Sequence, residues 1–359
     1  MINKKKWIFI GVLLVLVVFI RLFSANQFLT EQYYSTGLYP YVSTFLRWIT
    51  GWLPFSLGDL LYGAIIFWLL WKAVKVFKAL FKKELDWQYF LKRLSGFSTG
   101  LLTIYIAFNL LWGINYNRQG IAKELDLTMG KYSTEDLKIL NNILLQKVND
   151  NKTAIIRNGQ TALTNHELFK RCAAAYVEVN KKYTFLQYHI PSVKVSLWGW
   201  LGNYVGFTGY YNPFTGEAQV NTTVPKFLQP YTTCHEIAHQ LGYAKENEAN
   251  FVGYLAAASS KDSLFLYSTY LDLFLYAGRN LYAVDSAAAR LIAHQLLPSV
   301  KADLKELSDF NRRHQNPVEP VIRWLYGKYL QSNEQPSGVL SYDEVTGFLI
   351  AYYKKYGEL

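Results

Sequence analysis

The sequence predicts a helical membrane anchor followed by a mostly helical α+β domain, in which a small antiparallel sheet precedes a histidine-bearing helix. Three observations predict it. Apolar runs of bilayer length crowd the first 116 residues. Helical periodicity dominates the remainder. One stretch of β-formers, poor in charge and rich in glycine, interrupts that periodicity just ahead of "CHEIAHQLG". The 359-residue chain is 51% hydrophobic and 17% aromatic, with 28 Tyr and 10 Trp. That aromatic excess suits a membrane–water interface.

The anchor is predicted over residues 1–116. Its first span, about 7–23, is "WIFIGVLLVLVVFIRLF" after a basic start. No small-residue cleavage site follows, so it reads as an uncleaved anchor. The second, about 58–78, contains "LLYGAIIFWLLW" and runs on into spaced lysines that snorkel, with Asp59 near its outer end. The third, about 94–116, runs from Leu94 to Tyr116 without a charge. Lys4, Lys5 and Lys6 precede the first span. Lys72, Lys75, Lys78, Lys82, Lys83, Lys92 and Arg93 lie between the second and third. Basic loops stay cytoplasmic, which predicts a cytoplasmic N-terminus in a multi-pass cell-membrane protein and places residues 24–56 and everything after 116 outside.

The same loops account for the net charge of +11. Residues 1–93 carry 12 Lys/Arg against 4 Asp/Glu, whereas residues 94–359 carry 25 against 22. Basicity confined to the anchor, with no basic stripe or binding motif, argues against a nucleic-acid partner and leaves the lipid bilayer as the partner it fits. A transporter is disfavoured too, since three spans with one intramembrane carboxylate offer little pathway.

Residues 117–359 are predicted as one extracytoplasmic domain. "YSTEDLKILNNILLQKV" signals its first helix, with Ser133 as N-cap, and "NHELFKRCAAAYVEVNKKY" a second. "VKVSLWGWLGNYVGFTGYYNPFTGEAQVNTTVP" reads as two or three strands with a hairpin turn at "NPFTG". Such a sheet either supports the core or offers an edge strand to an extended peptide. Residues 261–330 read as further helices. Cys172 and Cys234 are too few for a disulfide framework and read as buried thiols or one bridge.

His235 and His239 stand at i and i+4 of a helix, so both imidazoles project from one face and can bind one ion. Glu236 projects beside them, where it can take a proton from metal-bound water without being a ligand. Gly242 can end the helix and let the chain fold back. A third histidine in the HExxHxxGxxH pattern would stand at 245, but that residue is Lys245, which cannot ligate while protonated. Glu246 and Glu248 remain as third-ligand alternatives. Cys234 adjoins His235 but diverges from it by about 100° around the helix and reads as a packed thiol. His166, His189, His294 and His314 read as structural, with His294 an oxyanion donor only if its helix reaches the cleft. Tyr210 and Tyr211, on the strand before the histidine helix, are candidate transition-state donors.

"ENEAN" resembles the Glu-x-x-Ala-Asp/Asn helix of the gluzincin-like HtpX-like and ImmA/IrrE-like metallopeptidases. That resemblance implies that Glu246 ligates the metal, Ala249 permits close helix contact and Asn250 hydrogen-bonds a ligand histidine. An aminopeptidase-like Asn-Glu register would instead select Glu248, and whichever glutamate is spare caps the helix or interacts with its dipole. The six-residue link from His239 to Glu246 is shorter than in characterised gluzincins. The three spans, "GYYNPFTGEAQVN" and "HEIAHQLGYAKENEANF" together resemble an uncharacterised bacterial family of membrane-anchored zincins, known only as a domain of unknown function, over nearly the whole chain. It implies a zincin-like fold and names no substrate.

The expected function is that of a membrane-anchored zinc metallopeptidase, hydrolysing peptide bonds in envelope or membrane-associated proteins. Zn2+ is the expected cofactor, Glu236 the proton carrier and a peptide or protein the substrate. The alternative is a catalytically idle zincin acting as an envelope scaffold or assembly factor.

Overall fold

The computed structural model describes residues 4–81 and 87–359; Lys82 and Lys83 of the second basic cluster lie outside the described residues. Four helices dominate the N-terminal third: α1 (Lys4–Ser24), α2 (Tyr39–Thr50), α3 (Leu57–Phe81) and α4 (Trp87–Leu111). Of these, α1, α3 and α4 are long and apolar enough to cross a membrane. Helices α1 and α4 pack along each other, whereas α3 shares no extended packing with either.

The third span is displaced from the 94–116 read in the sequence. It starts earlier and stops at Leu111, and Gly113–Asn117 form a buried 3-10 turn. The Trp112 indole N–H donates to the carbonyl of His239 at 3.0 Å, which fastens the chain to the C-terminal body before the apolar run is complete. Hydropathy could not register this, because a tryptophan buried in protein and one buried in lipid look alike to it.

The segment between α1 and α3 is folded onto the body. A π-helical stretch, Thr30–Leu38, leads into α2. Ser43 Oγ and Tyr39 OH donate to the carbonyl of Gln240 at 2.7 and 3.0 Å. Thr50 Oγ1 lies 2.8 Å from Ser192 Oγ.

In the body, Ser133 and Asp136 form a capping box that starts α5 (Thr134–Arg157), and Thr164 with Glu167 forms another at α6 (Asn165–Lys182). Three strands follow, β1 (Val193–Val195), β2 (Gly209–Asn212) and β3 (Glu217–Val220), in the order β1-β3-β2. The β2–β3 hairpin is antiparallel and turns through Gly216 at φ +69. Strand β1 joins β3 in parallel, so the sheet is mixed where the sequence suggested antiparallel pairing alone. After it come α7 (Gln229–Gln240), α8 (Glu246–Ser259), α9 (Ser263–Val284), α10 (Ser286–His294), α11 (Pro298–His314), α12 (Glu319–Ser332) and α13 (Val345–Tyr356). Helix α9 lies along α5, and α7 crosses α8.

All 12 residues of α7 are buried, although few are apolar. Burial is tolerable at Gln229, Thr233, His239 and Gln240 because their side chains are hydrogen-bonded, whereas His235 Nδ1 and Glu236 Oε2 are left without partners among the described residues. Gln240 shows how: its amide donates to the carbonyls of Ser192 (2.9 Å) and Gly216 (2.7 Å) and accepts from Tyr188 OH (2.7 Å). The histidine helix is thereby held to the N-terminal ends of the neighbouring strands β1 and β3.

The sheet also grips α3. Glu217 of β3 accepts from the backbone N–H groups of Leu57 (3.0 Å) and Gly58 (2.5 Å), which caps the helix with a carboxylate. Asp59, the next residue, is buried; it accepts from Leu197 N (2.6 Å) and from Tyr210 OH.

Candidate metal centre

Two glycines set the approach of α8 to α7. Gly242 adopts φ +88 and reverses the chain after α7; a Cβ there would stand 2.8 Å from the Tyr39 ring. Gly253 faces the backbone of His235, where a Cβ would meet its N at 3.1 Å and its Cα at 3.2 Å. The sequence pointed to Ala249 for the close contact. Ala249 is fully buried, but Gly253 is the residue whose missing side chain allows this crossing.

The crossing brings His235, His239 and Glu246 together, with ligand atoms all within 4.8 Å of one another. Glu246 Oε2 lies 3.2 Å from His235 Nε2 and 3.5 Å from His239 Nε2. Even so, Oε2 has no hydrogen-bond partner of good geometry among the described residues. Three lone-pair donors aimed at a common point explain that combination. A tetrahedral ion with bonds of 2.0–2.1 Å has edges of about 3.3–3.4 Å, so the donor set fits a divalent transition metal.

The surroundings fix these atoms. His239 Nδ1–H donates to the carbonyl of Tyr243 at 2.7 Å, which turns Nε2 toward Glu246. Tyr326 OH donates to Glu246 Oε1 at 2.8 Å, leaving Oε2 as the converging oxygen. The Glu246 N–H donates to Gln335 Oε1 at 2.9 Å. Burial opposes ionisation of Glu246, but the two imidazoles outweigh it and hold the carboxyl well below its usual range. Burial likewise opposes a charge on His239, and Glu246 reverses the balance upward.

Glu236 is buried, and burial pushes its carboxyl up to about 7 against the pull of His235 and His239. Its Oε2 has no partner among the described residues. Its Oε1 lies against Gly209 of β2, where a Cβ would approach to 2.7 Å. A buried carboxylate beside a metal-ligand cluster, free to exchange a proton near neutrality, has the properties of a general base.

Other residues named from the sequence lie elsewhere. Glu248, in the first turn of α8, aims its carboxylate away from the histidines, at Gly120. Burial raises its carboxyl, with Lys245 and Arg118 pulling the other way. Asn250, expected on a ligand histidine, donates from its side-chain amide to the Tyr342 carbonyl at 3.3 Å, and its backbone carbonyl accepts from Tyr231 OH. His235 Nδ1 has no partner among the described residues. Tyr210 OH is committed to Asp59. Tyr211 is buried with its hydroxyl 3.4 Å from that of Tyr39. Cys172 and Cys234 are buried free thiols. His294 and His314 do not line the cleft around the site.

Sequence reasoning missed Tyr326, Tyr342, Trp112 and Gly209. Tyr342 stacks on His235 with ring centroids 6.1 Å apart, and Trp112 meets the His239 ring edge-on at 5.9 Å. No spacing rule connects residues this distant in the chain to the histidine helix.

The site opens into a cleft of two chambers that share His235, Glu236, Gly209, Tyr326 and Tyr342. One encloses about 880 Å³ and the other about 670 Å³. Strand β2, at the edge of the sheet, lines the larger one.

No curated protein matches the chain, and no solved structure matches it. One family does, over residues 34–350, a stretch that takes in two of the apolar helices, the sheet and every residue of the candidate centre. The chain therefore belongs to the family described as Protein of unknown function (DUF3810).

Proposed function

We propose that this protein is a membrane-anchored zinc metallopeptidase of zincin type, acting on peptide bonds outside the cytoplasmic membrane. One observation carries the reading. His235, His239 and Glu246 converge on a point beside buried Glu236, at the junction of two open chambers.

Zinc held by those three residues would supply a Lewis acid, polarising the scissile carbonyl and acidifying the attacking water. Glu236 takes the proton of that water and returns it to the leaving amine. A carboxyl already raised by burial is suited to both halves of that exchange. Tyr326 and Tyr342 stay protonated, burial and then Glu246 raising both phenols; the proton of Tyr326 is held by Glu246, which leaves Tyr342 as the phenol that can donate a hydrogen bond into the cleft. The edge of β2 offers backbone groups to an extended substrate chain. The basic loops favour a cytoplasmic N-terminus and a water-side body outside.

Metal analysis of the purified full-length protein, with a peptide-library cleavage assay, tests the reading. Glu236→Gln is expected to retain zinc and lose hydrolysis. Loss of zinc would make Glu236 a ligand and overturn the mechanism; full cellular function in that variant would make the protein a scaffold. A reporter fused after Lys83 is expected in the cytoplasm and one after Leu359 outside, and the opposite pattern would place the site in the cytosol.

A further inference from the structure

The two chambers that meet at Glu236 differ in what builds them. The smaller is walled by water-side residues, among them Thr208, Asp272, Arg279, Glu319 and Arg323. The larger is walled in part by the apolar helices themselves: Tyr62 of α3, and Leu101, Ile104 and Phe108 of α4. Leu101 precedes Trp112, which touches the His239 carbonyl, by eleven residues, or about 16 Å of helix. That is about half of a 30 Å hydrocarbon core. The chamber thus runs from the metal ligands along about half the length that a span needs to cross the hydrocarbon core.

It is also open sideways. Helix α3 is fastened at its outer end by Glu217 and Asp59, and it shares no extended packing with α4. Leu101 and Ile104 stand 51% and 56% exposed on the chamber side of that gap. A water-soluble substrate has no need of such a wall. A lone acyl chain would fill the apolar chamber and leave the edge strand and the polar chamber without a role.

We propose that the substrate is a membrane-embedded polypeptide. Its apolar segment enters between α3 and α4 and occupies the larger chamber, its first polar residues pass along β2, and the bond at the membrane surface lies over Glu236. The polar flank leaves through the smaller chamber. This assignment rests on the metallopeptidase reading for its chemistry, but its geometry can be tested separately.

The test uses full-length protein in vesicles of phosphatidylethanolamine and phosphatidylglycerol. The probe is a synthetic peptide with an apolar span of about 20 residues joined to a randomised polar tail, and the control is the tail alone. The spanning peptide is expected to be cleaved at least about tenfold faster than the tail. Leu101→Trp with Ile104→Trp, which narrows the gap at two exposed positions, is expected to remove most of that advantage and leave zinc content unchanged. A photoreactive side chain at Ile104, in the Glu236→Gln background, is expected to crosslink to the spanning peptide. Crosslinking without any hydrolysis by the unmodified protein would uphold the entry route and sink the peptidase reading. Equal cleavage of tail and spanning peptide, or crosslinking to phospholipid alone, would overturn the inference.

Discussion

Gly209→Ala separates the placement of the proton carrier from the binding of the metal. The backbone at Gly209 lies outside the left-handed region, so alanine adds volume without backbone strain. Its Cβ would stand 2.7 Å from Glu236 Oε1, 2.9 Å from Glu236 Cγ and 3.0 Å from the Gln219 carbonyl, where ordinary contacts begin at 3.4 Å. The strand carbonyl is fixed by the hairpin, so Glu236 must yield by about 0.7 Å. Misplacement of a reacting group by 1 Å can cost about 100-fold in rate, which sets the expected loss in kcat at about tenfold or more. Overpacking should cost about 1–3 kcal/mol of stability. The three ligand atoms are untouched, so zinc affinity should hold within about twofold. Initial rates on a cleaved peptide, with zinc affinity by chelator competition, provide the measurement. Gly100→Ala is the control, because a Cβ there meets nothing within 4 Å. A folded Gly209→Ala protein with near-normal kcat would refute the assignment of Glu236 as proton carrier.

Three further outcomes follow from the same geometry. Glu246→Gln should weaken zinc by more than the about 10–100-fold expected for Tyr326→Phe, which loses only the hydrogen bond that orients the carboxylate. Glu248→Gln should leave zinc nearly unchanged; chelator competition on all three decides, and zinc loss confined to Glu248→Gln would reverse the ligand assignment. Burial, opposed by Arg279, pushes the Asp272 carboxyl up to about 7. The stability tied to its protonated form is complete below the unfolded value of about 3.9 and is lost as pH rises through about 7, so the Tm of the wild type should fall relative to Asp272→Asn across that range. A constant Tm difference from acid to alkaline pH would contradict this. Arg118 is buried and pairs with Glu31 at 2.8 Å and Glu124 at 3.0 Å. Arg118→Met should destabilise by about 3–5 kcal/mol because two carboxylates lose their counter-ion, and a thermal-unfolding loss below about 1 kcal/mol would show the cluster to be solvated.

The sequence carried the local part of this site. Helical periodicity alone sets His235 and His239 on one face, and Gly242 marks the reversal that brings Glu246 back. The caps at Ser133 and Thr164 and the hairpin before α7 were legible for the same reason, since each is decided within a few residues. What could not be read is what long-range packing decides. Choosing Glu246 over Glu248 depends on which side of α8 faces α7, and Gly253 settles that by letting the backbones approach. Tyr326 and Tyr342 reach the site from α12 and the turn beyond it, with no periodic signal. Asn250 looked like a histidine partner by pattern, yet the Tyr342 carbonyl claims its amide. Parallel pairing of β1 with β3 is likewise a contact between segments more than twenty residues apart.

The grip of Glu217 on the start of α3 bears on how such a protein can evolve. Modules that recombine freely meet at wet, dispensable joints. Here a carboxylate on the hairpin completes a membrane helix, and Ser43, Tyr39 and Thr50 satisfy carbonyls and hydroxyls on the other side of the boundary. Grafting the histidine body onto a foreign anchor would leave Glu217 with only hairpin partners such as Thr215 and the Gln240 carbonyl without the hydroxyls of Tyr39 and Ser43, at about 1–3 kcal/mol for each buried group left unsatisfied. Anchor and body are therefore coupled energetically, and variation at the outer helices should cost less than an exchange of the spans. The extent of the family match, from residue 34 to residue 350 across both halves, agrees with that constraint.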